Sequence, residues 1–108
     1  MVSDKVSTEE NEELRDYELV LVISPEVVEE KFEATVDNIG RFITGNGGAI
    51  SDIERWGKRR LAYPIRHFAE GSYVLARFKL NPAFGKELGA NLQISDEVLR
   101  HLLIKVGS

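Results

Sequence analysis

The run Trp56-Gly57-Lys58-Arg59-Arg60-Leu61-Ala62-Tyr63-Pro64-Ile65-Arg66 holds the residue types whose spacing points most directly to chemistry. Three consecutive bases in an extended segment place cations on both faces of the backbone, which a half-buried sheet ordinarily avoids. Arginine forks match phosphate oxygens two at a time, and a neighbouring tyrosine can stack on a base or a ribose. The chemistry on offer is contact with RNA phosphates. The competing account is a solvated edge strand whose charges block aggregation. Residue chemistry leaves both standing.

Total charge at first argues against a nucleic-acid partner, because the chain carries −4. Its distribution reverses that. Residues 1–14 hold Asp4, Glu9, Glu10, Glu12 and Glu13 against Lys5, so the remaining chain is neutral. Within it, residues 55–79 carry Arg55, Lys58, Arg59, Arg60, Arg66, Arg77 and Lys79 against Glu70 alone. Local surplus governs attraction to phosphate more than the total does.

Other chemistries find little support. The chain contains no cysteine, which excludes disulfides, thiolate metal sites and cysteine nucleophiles. His67 and His101 fall in different elements with no third ligand at metal spacing. No cofactor, metal, small-molecule substrate or enzymatic activity is expected. The glutamates of the first helix (Glu26, Glu29, Glu30, Glu33) read as a solvated face. Gly85-x-x-x-Gly89 is weak evidence outside a membrane. No apolar run reaches the roughly 20 residues of a membrane span, and no signal pattern follows Met1. The cytosol or an organelle interior is the expected location.

The elements that must position the basic run follow from periodicity. At 108 residues there is room for one domain, expected over 15–108, behind a disordered acidic tail at 1–14. Arg15–Ser24 reads as a strand, apolar on both faces from Leu19 to Ile23 and hence central. Ser24-Pro25-Glu26 reads as a helix start. Val28, Phe32, Val36, Ile39 and Ile43 then form an apolar stripe that ends at Gly45-Asn46-Gly47-Gly48. Ala49–Ile65 reads as a charged edge strand, with a bulge near Ser51–Glu54 to reconcile Ile50, Ile53 and Trp56. A loop over Arg66–Gly71 leads to a strand over Ser72–Leu80. Asn81-Pro82 opens a second helix carrying Phe84, Leu88 and Leu92, and Glu97–Val106 forms the last strand. The order β-α-β-β-α-β predicts an α+β, ferredoxin-like fold: a four-stranded antiparallel sheet with both helices on one face.

Gly57-Lys58-Arg59-Arg60-Leu61-Ala62-Tyr63-Pro64-Ile65 closely resembles the signature of the bacterial and organellar family of the sixth small-subunit ribosomal protein. Tyr17-Glu18 in the first strand, Ser24-Pro25 after it and Asp96-x-Val98-x-Arg100 before the last also match, in order, from Arg15 to about Val106. The resemblance implies a structural constituent of the small ribosomal subunit. It would bind the central domain of the small-subunit ribosomal RNA together with the eighteenth small-subunit protein. On this resemblance Lys58, Arg59, Arg60 and Tyr63 become the candidate RNA contacts of the second strand. Arg15 matches a base before the first-strand Tyr-Glu, and Arg100 matches the fourth-strand arginine. Arg66 and His67 join them by proximity, while Trp56 and Leu61 are assigned to a partner-protein interface and Tyr73 to core-rim packing.

Two departures qualify the match. Asp16 replaces a second base, and the acidic tail would repel RNA, so it is expected to point away. The C-terminal extension of some members is also expected to be missing. Alternatives on the same fold fare less well. An RNA-recognition module needs third-strand rings where Val74 and Ala76 stand. An acylphosphatase-like enzyme needs a glycine-rich anion cradle where Ser24-Pro25-Glu26 stands. A ligand-sensing dimer remains the alternative.

Overall fold

The computed structural model describes residues 14–106, so the expected acidic tail, Leu14 apart, lies outside the described residues. Strands β1 (Arg15–Ile23), β2 (Ala49–Ile65), β3 (Phe68–Leu80) and β4 (Val98–Lys105) and helices α1 (Glu29–Gly45) and α2 (Gly85–Gln93) follow the expected order. The strands form one antiparallel sheet in the order β2-β3-β1-β4. The layout is ferredoxin-like, with β1 central and charged β2 at an edge as expected.

Alternation explains where the core sits. Tyr17, Leu19, Leu21 and Ile23 of β1 bury on one face with Val74, Ala76, Phe78 and Leu80 of β3. Phe32 and Ile43 of α1 and Leu88 and Leu92 of α2 close over them. Each large apolar side chain buried here contributes roughly 1.5–3 kcal/mol of transfer free energy. Glu18, Asp52, Glu54, Arg77, Leu102 and Ile104 point the other way, onto the face without helices.

Three boundaries differ from the sequence reading. Ser24-Pro25-Glu26 makes a turn rather than the helix start. The Ser24 amide donates to the Glu97 carbonyl at 2.9 Å, which holds Ser24 extended against β4. Its hydroxyl and carbonyl then accept from the Glu26 and Val27 amides. The helix begins only at Glu29, where Glu29 and Glu30 face the positive end of its dipole. Val28 accordingly lies 63% exposed outside the apolar stripe, and Val27 packs on the core instead. In the second correction, the loop expected over Arg66–Gly71 contracts to a two-residue turn at Arg66-His67, flanked by the pair Ile65–Phe68. The third is that Asn81-Pro82 opens a short 3-10 turn over Pro82–Phe84, capped by Asn81 Oδ1 accepting from the Ala83 amide, and α2 follows it.

The expected bulge is present between Ile50 and Asp52, and a second follows between Arg55 and Gly57. At the end of α1, a Cβ on Gly48 would lie 2.4 Å from the Lys79 carbonyl oxygen, so only glycine lets the chain pass there.

Candidate nucleic-acid interface

β2 and β3 outgrow the sheet. Ser72 is the last β3 residue paired with β1, and beyond it the two strands continue as an arm. Arg59 pairs with Gly71 and Arg60 with Glu70; the ladder opens over 61–64 and closes at Ile65–Phe68. The open stretch curls over the helix-free face. Tyr63 accepts a hydrogen bond from Arg100 Nη1 at 3.2 Å, although β3 and β1 separate their strands. Leu61 lies over Gly71, and Val22 beneath is only 4% exposed even though it points away from the helices. Val22, Leu61, Ile65, Tyr73 and Arg100 enclose a small hollow of about 80 Å³ under the arm.

Gly71 permits this fold-over. A Cβ there would lie 2.3 Å from Val22 Cγ1, a stiff, buried, β-branched group that cannot swing aside. Gly71→Ala is expected to cost about 1–3 kcal/mol through overpacking. It should also release the arm, seen as loss of hydrogen-exchange protection over Phe68–Ser72. Unchanged stability and protection would show that the arm does not depend on this contact.

The structure divides the basic surplus. Arg55 reaches Glu29 at 3.0 Å and also pairs with Glu33, lying over the Phe32 ring. Arg77 bonds Glu18 at 3.2 Å, Asp52 at 2.7 Å and Glu54 at 3.0 Å, and Lys79 bonds Asp16 at 2.9 Å. These three are neutralised by carboxylates from other elements, a pairing invisible when charges are counted along the chain. Lys58, Arg59, Arg60 and Arg66 make no ion pair among the described residues, and all are exposed. Arg59 stands 5.4 Å over the Trp56 ring, which stacks on Tyr73 at 6.3 Å and 8°. The cations therefore cluster on the arm, beside an aromatic pair with Trp56 40% exposed.

Hydrogen bonds hold three carboxylates in their charged form. The Trp56 indole N–H, then Arg77, keeps Glu54 below the usual carboxylate range. Arg55 does the same for Glu29, and the Ser95 hydroxyl for Glu97. A depressed carboxylate stabilises the fold above its unfolded pKa, and that contribution disappears as pH falls through the folded value. Urea midpoints are therefore expected to hold near neutrality and fall below the ordinary carboxylate range. Glu54→Gln should fall less steeply; an identical acid limb in the variant would remove Glu54 from the account.

The other sequence-expected residues separate. Tyr63 (60% exposed), Arg100 and the turn residues Arg66 and His67 join the arm. Leu61, half-buried, lies over Gly71 and helps anchor the arm. Arg15 stands at the opposite end of the nine-residue β1, roughly 27 Å away at about 3.3 Å per residue. It pairs with Leu80 in the ladder and donates to the Leu14 carbonyl. The sequence reading missed the exposed apolar row of β4, with Leu102 49%, Ile104 43% and Val106 42% exposed. Strand alternation held the signal for Leu102 and Ile104, which fall on the face opposite Leu103, while the irregularity between Arg100 and Val98 returns Val98 to the core face.

A family model described as Ribosomal protein S6 matches residues 16–105. The small ribosomal subunit protein bS6 of Moorella thermoacetica is 42% identical over 93 residues, covering 86% of this chain and 95% of that protein. Its counterpart in Desulforamulus reducens is 40% identical over 94 residues, covering 87% and 99%. The crystal structure of 30S ribosomal protein S6 from Thermotoga maritima superposes with a TM-score of 0.80 at 31% identity, covering 85% of this chain and 87% of that one.

Proposed function

The chain belongs to the ribosomal protein S6 family, structural proteins of the small ribosomal subunit rather than enzymes, and on that premise we propose that its arm docks on the central domain of the small-subunit ribosomal RNA. One observation carries this reading: Lys58, Arg59, Arg60 and Arg66 project on an arm beyond the sheet without carboxylate partners among the described residues. Cations of this kind contact phosphates, which position a protein without reading sequence. RNA shape and a protein companion then supply specificity. The companion is the eighteenth small-subunit protein. The helix-free face, with Trp56, Leu102 and Ile104 beside the Arg77 carboxylate network, is the apolar, charge-rimmed surface suited to it. The relatives named are bacterial, so the cytosolic ribosome is the expected location. Among the described residues no helix is long and apolar enough to cross a membrane.

The test is reconstitution of the chain with a central-domain RNA fragment, with and without the eighteenth protein. Binding should require the partner and weaken steeply with salt, as counterion release dictates. Partner-independent binding would remove the companion from the proposal; absence of binding with both present would overturn it. A ligand-sensing dimer would instead self-associate and stay free of ribosomal subunits.

A further inference from the structure

Arg66 and His67 form the arm's turn with φ of 49° and 73°. Two-residue hairpin turns of this hand favour Asn-Gly, because a Cβ crowds the carbonyl in the left-handed backbone and Asn tolerates it best. Non-glycine residues seldom adopt this backbone, so the turn is locally unfavourable.

The turn places Arg66 at the rim of a hollow of about 280 Å³ between the arm, β4 and the end of α2. Arg100, His101 and Gln93 complete its polar lining over a floor of Leu92 and Val98, and no carboxylate lines it. Neither Arg66, Arg100 nor His101 makes an ion pair among the described residues. The one hydrogen bond that Arg100 makes there is to the neutral hydroxyl of Tyr63. Two positive side chains lining one hollow with no carboxylate beside them attract an anion to it. The strained turn thus holds one of two unpaired cations at a hollow where a single bound oxyanion would be favoured by both.

We propose that this hollow is an oxyanion seat that takes a phosphodiester group of the RNA backbone. Arg66 and Arg100 supply forked, permanently charged donors, and Gln93 and His101 supply further N–H donors, a set that fits non-bridging phosphate oxygens. The hollow is open and shares its arm with Lys58, Arg59 and Arg60. An extended backbone several nucleotides long can touch both, whereas a small phosphorylated ligand gains nothing from the distant bases. Tyr63 holds Arg100 in place from the arm and is a positioning residue.

The seat rests on the RNA reading above, and two variants separate them. Arg66→Asn relaxes the turn and removes one cation. It should raise the urea midpoint yet weaken RNA-fragment binding about threefold to tenfold, lowering the salt slope by about one. Gln93→Glu adds a carboxylate at an exposed lining position. It should lower the midpoint slightly, because a carboxylate at the end of α2 opposes the helix dipole, and weaken binding to a similar extent. If both variants bind like the parent while Arg59 and Arg60 variants do not, the seat is overturned and the RNA reading stands. If the parent fails to bind the RNA, an NMR titration of the full chain with inorganic phosphate decides the seat. Saturable shifts at Arg66 Nε, Arg100 Nε and the His101 ring sustain it, and their absence overturns it.

Discussion

The Arg59→Ala, Arg60→Ala double variant is expected to lose tenfold to a hundredfold in affinity for the central-domain RNA fragment. Each contact contributes about 0.7–1.4 kcal/mol after desolvation, and a tenfold change corresponds to about 1.4 kcal/mol. The salt slope should fall by about two, one for each phosphate neutralised. The fold should be untouched, because both side chains are exposed and neither makes an ion pair among the described residues. Arg59 does lie over Trp56, so some change in tryptophan fluorescence is expected even without RNA. Fluorescence titrations at several salt concentrations, with thermal unfolding in parallel, check this. A loss of affinity with an unchanged slope would mean the pair meets the companion protein and not phosphate.

Phe78→Ala should have the largest effect on stability, about 3–5 kcal/mol. A domain of this length is stable by only roughly 5–15 kcal/mol, so the variant is expected to be partly unfolded at 37 °C. Phe78 is 1% exposed, pairs with Tyr17 on one side and Ile50 on the other, and stacks on the Tyr17 ring at 5.8 Å. Its removal leaves a cavity at the centre of a sheet whose neighbours are fixed by backbone ladders and cannot collapse inward. Leu102→Ala is the matched comparison: half-exposed on the helix-free face, it should cost under about 1 kcal/mol in the isolated chain. Urea denaturation of both measures the difference. Equal losses would mean that the apolar face of β4 is as buried in solution as the core.

Alternation and stripe spacing made most of the fold legible. The two-sided apolar run Leu19–Ile23 put β1 in the centre. The charge of Ala49–Ile65 put β2 at an edge. The uneven spacing of Ile50, Ile53 and Trp56 required the bulge that is found. These signals are local, because each reports which side of one element meets apolar neighbours. Where the reading slipped, a contact from elsewhere decided. The Glu97 carbonyl holds Ser24 out of the helix that its own sequence would start. Arg66 and His67 turn the chain within two residues although neither is a turn-forming type.

For the site, the residue types along 56–66 determined by themselves that unbalanced cations would stand on one strand, and the ordered matches around them determined the family. Which cations remain free was decided only in three dimensions. Arg55, Arg77 and Lys79 look as available in the chain as Arg59 and Arg60, but helix α1 and the neighbouring strands bring carboxylates to them. The arm outruns those elements, so its bases meet none among the described residues. Its fold-over, which brings Tyr63 to Arg100, depends on Gly71 leaving room for Val22. Coulomb partners and close approaches are set by distance through space, which a linear chain does not encode until it is packed.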